Sequence, residues 1–183
     1  SGDEDFMKEN DITAEDWDGV QARWQSKILT ARNKRIRPNT DDKIITSWNA
    51  LLINGFVDAY NVFNESAYLE KAEDVFRFIE KNSLNKDQLI HTYKKGSKKS
   101  DGFLEDYSFL ANASLKLYST TMSNSYLDFA KEMNQMAKDK FADENSGMYS
   151  FNSDDELIAQ IIKTDDGVLP SPNAVMAENL FLL

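Results

Sequence analysis

The chain has 183 residues, 41% of them hydrophobic and 11% aromatic, which is enough apolar material for a sizeable core and excludes a disordered polymer. A net charge of −10, from 21 basic and 31 acidic residues, argues against a general nucleic-acid binder. With no cysteine there is no disulfide framework, thiolate zinc site or cysteine nucleophile. No apolar run approaches the roughly 18–20 residues that a membrane-spanning helix needs, so no membrane partner is expected.

The acidity is uneven. Residues 1–20 carry eight acids against Lys8, whereas residues 21–43 carry seven bases against Asp41 and Asp42. Residues 1–13 read as a solvated acidic lead-in, and the basic stretch after them as a helix face in water. The sharper reading of that stretch is an anion-binding strip, which requires a pocket beside it. Ser1-Gly2 reads as a cloning remnant, and no apolar signal core follows it. A cytoplasmic setting is the expectation.

Thr13 is placed to cap a helix over 14–34 with Trp17, Val20, Trp24, Ile28 and Leu29 on one stripe; Pro38 and Asn39 close the region. Residues 47–63 are apolar nearly all round, the mark of a buried helix. Residues 66–84 are amphipathic, with Tyr68, Leu69, Ala72, Val75, Phe76 and Ile79 on the inward face. LIHTYKKG then alternates at a strand period and is long enough only for a hairpin arm.

The pattern repeats. Residues 104–121 form a second apolar helix, 124–141 a second amphipathic one, and GMYSF a second short extended stretch. Tyr68-Leu69 recurs at Tyr126-Leu127, Ala72 at Ala130, Leu52 at Leu110 and His91 at Tyr149, all 58 residues apart. A third copy opens at Asp165-Asp166-Gly167 and continues into an apolar helix from Asn173. Such units bury their apolar faces only against one another. Apolar helices form an inner ring and amphipathic ones an outer ring, so the predicted fold is all-α, an incomplete (α/α)6 toroid of helical hairpins with short β-hairpin-like loops. It is expected to occupy 14–183 as one partial domain. The chain stops on AVMAENLFLL without a polar or glycine cap, and we expect it to be a fragment of a larger protein whose exposed inner-helix surface self-associates.

In a toroid the loops entering the inner helices line a concave face. Three such junctions hold the polar residues of interest: DDKIITSWNALL, SDGFLEDYSFL and TDDGVLPSPNAVMAENL. Carboxylates beside aromatic rings suit sugars, because rings stack on apolar sugar faces and paired carboxylates serve as acid and base. Asp42 and Asp106 are the candidate catalytic or ligand-orienting carboxylates. Trp48, Asn49, Glu105, Tyr107, His91, Ser171 and Asn173 are candidate substrate-binding residues, with Trp48 and Tyr107 as ring platforms. The plainer reading makes Asp42, Asp106 and Ser171 helix caps, the two rings core, and His91 a structural histidine. His91 is the only histidine, so a two-histidine metal site is excluded and no metal is expected. No phosphate loop, dinucleotide fingerprint or nucleophile elbow is present, and no cofactor is expected.

ARNKRIRPNTDDKIITSWNALLINGF, GFLEDYSFL and DGVLPSPNAVMAENL, in this order, resemble the C-terminal helical region of the thioredoxin-domain-containing, spermatogenesis-associated protein family. The resemblance implies a six-hairpin α/α toroid similar to those of N-acylglucosamine 2-epimerases and six-hairpin glycosidases. It also implies a sugar-like small molecule as partner. If the whole protein is an enzyme, it implies an epimerase, isomerase or glycosidase-like activity, with the fragment alone inactive. Ala50 stands where the motif typically has glycine, and the family's thioredoxin-like domain has no counterpart in this sequence. The rival expectation is a non-catalytic helical-repeat module that binds a protein.

Overall fold

The computed structural model describes residues 2–86, 88–97, 100–153 and 161–183. The chain divides into two compact units, Ser1–Asp41 and Asp42–Leu183. The boundary between them falls after the first long helix.

The first unit holds α1 (Asp3–Glu9), a short helix within the acidic lead-in, and α2 (Ala14–Asn33). Thr13 caps α2 as expected, its hydroxyl accepting from the Asp16 N–H at 3.2 Å. Phe6, Trp17 and Trp24 form a cluster with ring centroids 5.7–6.0 Å apart. No residue of either helix is fully buried.

The second unit is built from two α-hairpins and a further helix: α3 (Thr46–Phe63) with α4 (Ser66–Ser83), α5 (Leu104–Thr121) with α6 (Asn124–Phe141), then α7 (Pro172–Leu182). α3, α5 and α7 pack side by side as an inner row, while α4 and α6 pack on the outside of α3 and α5. The left-handed residues Asn64 and Met122, 58 apart, end α3 and α5 at equivalent turns. This is the helical-hairpin toroid architecture, open along the row with no closed barrel.

The expectation that both apolar helices are buried all round holds for α5 alone. α5 buries twelve residues and α3 five, with Trp48, Leu52, Val62 and Phe63 of α3 exposed. The physical reason is position: α5 lies between α3 and α7, whereas α3 has an inner-row neighbour on one side among the described residues.

Short strands sit at the helix starts. β1 (Ile44–Ile45) and β2 (Leu84–Asn85) both pair antiparallel with the central β3 (Gln88–Tyr93), and β4 (Ser100–Asp101) pairs with β3 as well. β5 (Ala142–Asp143) and β6 (Met148–Tyr149) form the corresponding hairpin of the next repeat. After β4 the backbone presses against β3: the Gly102 N–H donates to the Leu89 carbonyl at 2.8 Å. A Cβ at Gly102 would lie 2.8 Å from that oxygen and 3.1 Å from Tyr107 Cε2, so glycine is required here by close approach.

Candidate functional site

The starts of α3 and α5 meet β3, and the chemistry gathers there around one carboxylate. Asp106, at the third position of α5, is fully buried. Its Oδ2 accepts from the Phe103 N–H at 2.9 Å, closing the first turn of its own helix. Its Oδ1 accepts from the Ser47 N–H at 2.9 Å, satisfying the start of α3 one repeat earlier. The third partner is His91 of β3, whose Nδ1 lies 2.9 Å from Oδ2. An acceptor-only carboxylate fixes the tautomer: Nδ1 carries the proton, and Nε2 is left with no bond to a described residue. The hydrogen bond to Asp106 raises the His91 pKa above 6.5, more than burial lowers it.

Glu105, next in the chain, is half-buried. Its hydroxyl neighbour is Ser47, with Oγ donating at 3.4 Å. Burial, and then the charge of Asp106, push the Glu105 carboxyl above its ordinary value, against the pull of Lys163 and His91. Glu105 also borders a cavity of about 320 Å³ whose wall includes Lys163, Asp165, Leu169 and Pro170. On the other flank of His91, the Phe103 ring meets the imidazole edge-on at 4.9 Å and stacks on Phe151 at 5.0 Å. Lys163 Nζ stands 3.5 Å from the Phe151 ring centroid.

The structure therefore brings Asp106, His91 and Glu105 together and distributes the other expected residues around them. Asp42 is exposed and ion-paired with Lys94, which lowers its pKa. Trp48 is 60% exposed at the start of α3, where a ring is accessible to a ligand. The Asn49 amide donates to the Ile45 carbonyl at 2.8 Å and so closes the turn beneath it. Tyr107, expected as a second ring platform, is instead a core residue. It is 1% exposed, and its hydroxyl accepts from the Leu89 N–H at 3.0 Å, so neither face is open for stacking.

Ser171 and Asn173 organise the start of α7. The Ser171 hydroxyl caps the Ala174 N–H at 3.3 Å and donates to the Lys163 carbonyl at 3.0 Å. Asn173 holds Tyr149 from both sides, its Oδ1 accepting from that residue's N–H and its Nδ2 donating to its carbonyl, both at 2.9 Å. A second Nδ2 bond, also 2.9 Å, reaches the Lys163 carbonyl. These two side chains thus position the segment that carries Lys163.

Sequence reasoning missed Phe103, Phe151 and Lys163 and gave Ser47 no role of its own. The Ser47–Glu105 contact was legible in principle, since the two residues are separated by the repeat length of 58. Lys163 also stands one repeat length from Glu105 and Phe151 one from Tyr93, but the longer connection before the third copy interrupts the pattern there, so the period did not single them out.

No protein-family model matches the chain. It is 32% identical over 164 residues, 85% of its length, to an uncharacterized protein of Caenorhabditis elegans. It is 30% identical over 171 residues, 86% of its length, to spermatogenesis-associated protein 20 of Rattus norvegicus. The chain spans only 22% of the length of each of these relatives. Among solved structures, cellobiose 2-epimerase from Bacillus thermoamylovorans is similar with a TM-score of 0.60 and 19% identity, covering 79% of this chain and 39% of that one. A family 76 glycoside hydrolase α-mannanase from Bacteroides thetaiotaomicron is similar with a TM-score of 0.56 and 18% identity, covering 69% and 37%. At such identities the likeness establishes the fold. By sequence the chain is similar to part of spermatogenesis-associated protein 20, and by fold it resembles part of a six-hairpin α/α toroid.

Proposed function

We propose that the second unit forms part of a sugar-processing pocket in the longer protein, with His91 as its proton-transfer group. The observation that carries this reading is the Asp106–His91 pair at the converging helix starts, beside a half-buried Glu105 whose carboxyl is pushed upward. Asp106 has both oxygens occupied by three donors, so its role is to orient and charge-balance the imidazole. His91 Nε2 is then the base, and Glu105 the acid that polarises a substrate oxygen. The fold's likeness to a cellobiose 2-epimerase and an α-mannanase supports a carbohydrate as the ligand, with exposed Trp48 as a stacking surface.

This arrangement favours epimerisation or isomerisation over glycoside cleavage. Cleavage needs two carboxyl groups flanking a bond, and Asp42 is tied to Lys94 while Asp106 is sealed beneath His91. Proton removal beside a sugar carbonyl needs one base and one acid, the roles assigned to His91 and Glu105. His91 takes the proton from carbon as Glu105 gives one to the carbonyl oxygen; the planar enediol then turns about its C–C bond, His91 returns the proton to the opposite face, and Glu105 takes back the oxygen proton.

The test uses the full-length protein with a panel of aldoses and disaccharides in D2O. The expected result is solvent deuterium at the carbon next to the carbonyl, reduced about a hundredfold or more in His91→Gln and in Glu105→Gln. If no sugar exchanges or is cleaved, or if both variants match the parent, the protein-binding module becomes the better reading.

A further inference from the structure

The first unit contains a feature that the proposed sugar chemistry does not use. Residues 29–40 hold four bases, Arg32, Lys34, Arg35 and Arg37, and no acid, in a chain whose net charge is −10. At the end of α2 and in the segment just beyond it, Arg32, Arg35 and Arg37 line an open surface groove of about 550 Å³, together with Leu29, Asn33 and Thr40, all of them exposed. We propose that this groove binds the phosphate group of a phosphate-bearing ligand.

Three observations carry it. First, the guanidinium groups are uncompensated: among the described residues, no carboxylate pairs with Arg32, Arg35 or Arg37, and no acid lines the groove. Like charges gathered on one groove repel, and a bound dianion relieves that repulsion. Secondly, the donors suit phosphate. Planar guanidinium forks bind it bidentately, the Asn33 amide already accepts a hydrogen bond from Arg37, and the Thr40 hydroxyl adds a neutral donor. Thirdly, the volume exceeds that of a bare phosphate ion, and the exposed Leu29 and Ile36 offer an apolar surface for an organic body.

The competing explanation is that bases simply favour a helix C-terminus, where the macrodipole places about half a negative charge. That accounts for Arg32 in the last turn of α2. It does not account for Arg35 and Arg37, which lie beyond the helix end yet line the same groove. Three full positive charges also outweigh the half charge of the dipole, so the local potential favours an anion.

The full chain is titrated with inorganic phosphate and with glucose 6-phosphate at constant ionic strength, with glucose as the neutral control. In parallel it is sedimented with phosphatidylcholine vesicles that do or do not contain phosphatidic acid. Saturable binding of the phosphates indicates a soluble ligand, and cosedimentation only with phosphatidic acid indicates a lipid headgroup; either result supports the site. The support requires that Arg32→Gln and Arg35→Gln each weaken binding about tenfold, that the lysine replacements recover part of it, and that Lys131→Gln on α6 leaves it unchanged. These arginines are exposed, so circular dichroism of the variants is expected to match the parent. Absence of saturable binding in every arm, or equal binding by the parent and both glutamine variants, overturns the proposal.

Discussion

Asn54 donates its amide N–H to the amide oxygen of Asn112 at 2.9 Å, and the two residues are separated by one full repeat of 58. Asn112 passes the bond on to Asn179 at 3.1 Å, and Asn179 ends the series on the Ser108 carbonyl at 2.9 Å. The three inner helices are thus joined by a ladder of asparagines at one height. The same spacing recurs on the surface, where Lys116 pairs with Asp58 at 2.8 Å. A sequence period has become a physical contact between equivalent positions.

The ladder predicts an order of stabilities. Asn112→Ala leaves the Asn54 amide and the buried Asn179 oxygen unpaired, and should cost about 2–4 kcal/mol. Asn54→Ala should cost less, about 1 kcal/mol, because Asn54 Oδ1 already lacks a partner among the described residues and its removal relieves that penalty. Urea midpoints at unchanged m-value measure both. An Asn54→Ala variant less stable than Asn112→Ala would contradict the ladder.

The Asp106–His91 pair makes folding depend on pH. The folded-state pKa of His91 is raised above 6.5. The folded chain therefore holds this proton more tightly than the unfolded chain. The stabilisation is complete below about pH 6.5, and it fades as pH rises through the folded value. The advantage of the parent over His91→Gln should shrink across that window, and NMR of the imidazole should give a midpoint above 6.5 that falls in Asp106→Asn. Glu105, also raised, works in the same direction at lower pH. Its protonated form is favoured by folding, so Glu105→Gln should gain on the parent as pH rises through the raised carboxyl value. A His91 midpoint at or below 6.5 would remove the basis of this prediction.

Gly102→Ala should destabilise the second unit by about 2 kcal/mol or more. The new methyl meets the Leu89 carbonyl at 2.8 Å and the Tyr107 ring at 3.1 Å, and the neighbouring strand backbone cannot yield cheaply. Amide exchange should then quicken at Gly102 and at Leu89, whose N–H is held by the Tyr107 hydroxyl. A variant as stable as the parent would mean that β4 can move away from β3 without penalty.

Much of this protein was fixed by one-dimensional pattern. Helical periodicity sets α3 through α6 within a residue or so, because each has a long, regular apolar signal. The 58-residue period and the alternation of apolar with amphipathic helices suffice for the inner row and outer layer. Tertiary structure decided how each polar residue is used. Asp106 and Tyr107 are neighbours in sequence and both read as ligand groups. Yet one gathers three donors beneath His91 and the other turns into the core, because on α5 the packing of α3, α7 and β3 leaves no face open. The overall −10 argues against a general nucleic-acid binder, but charge is counted along the chain while potential is felt in space. The sequence places three arginines within six residues, and the end of α2 turns them around one open groove.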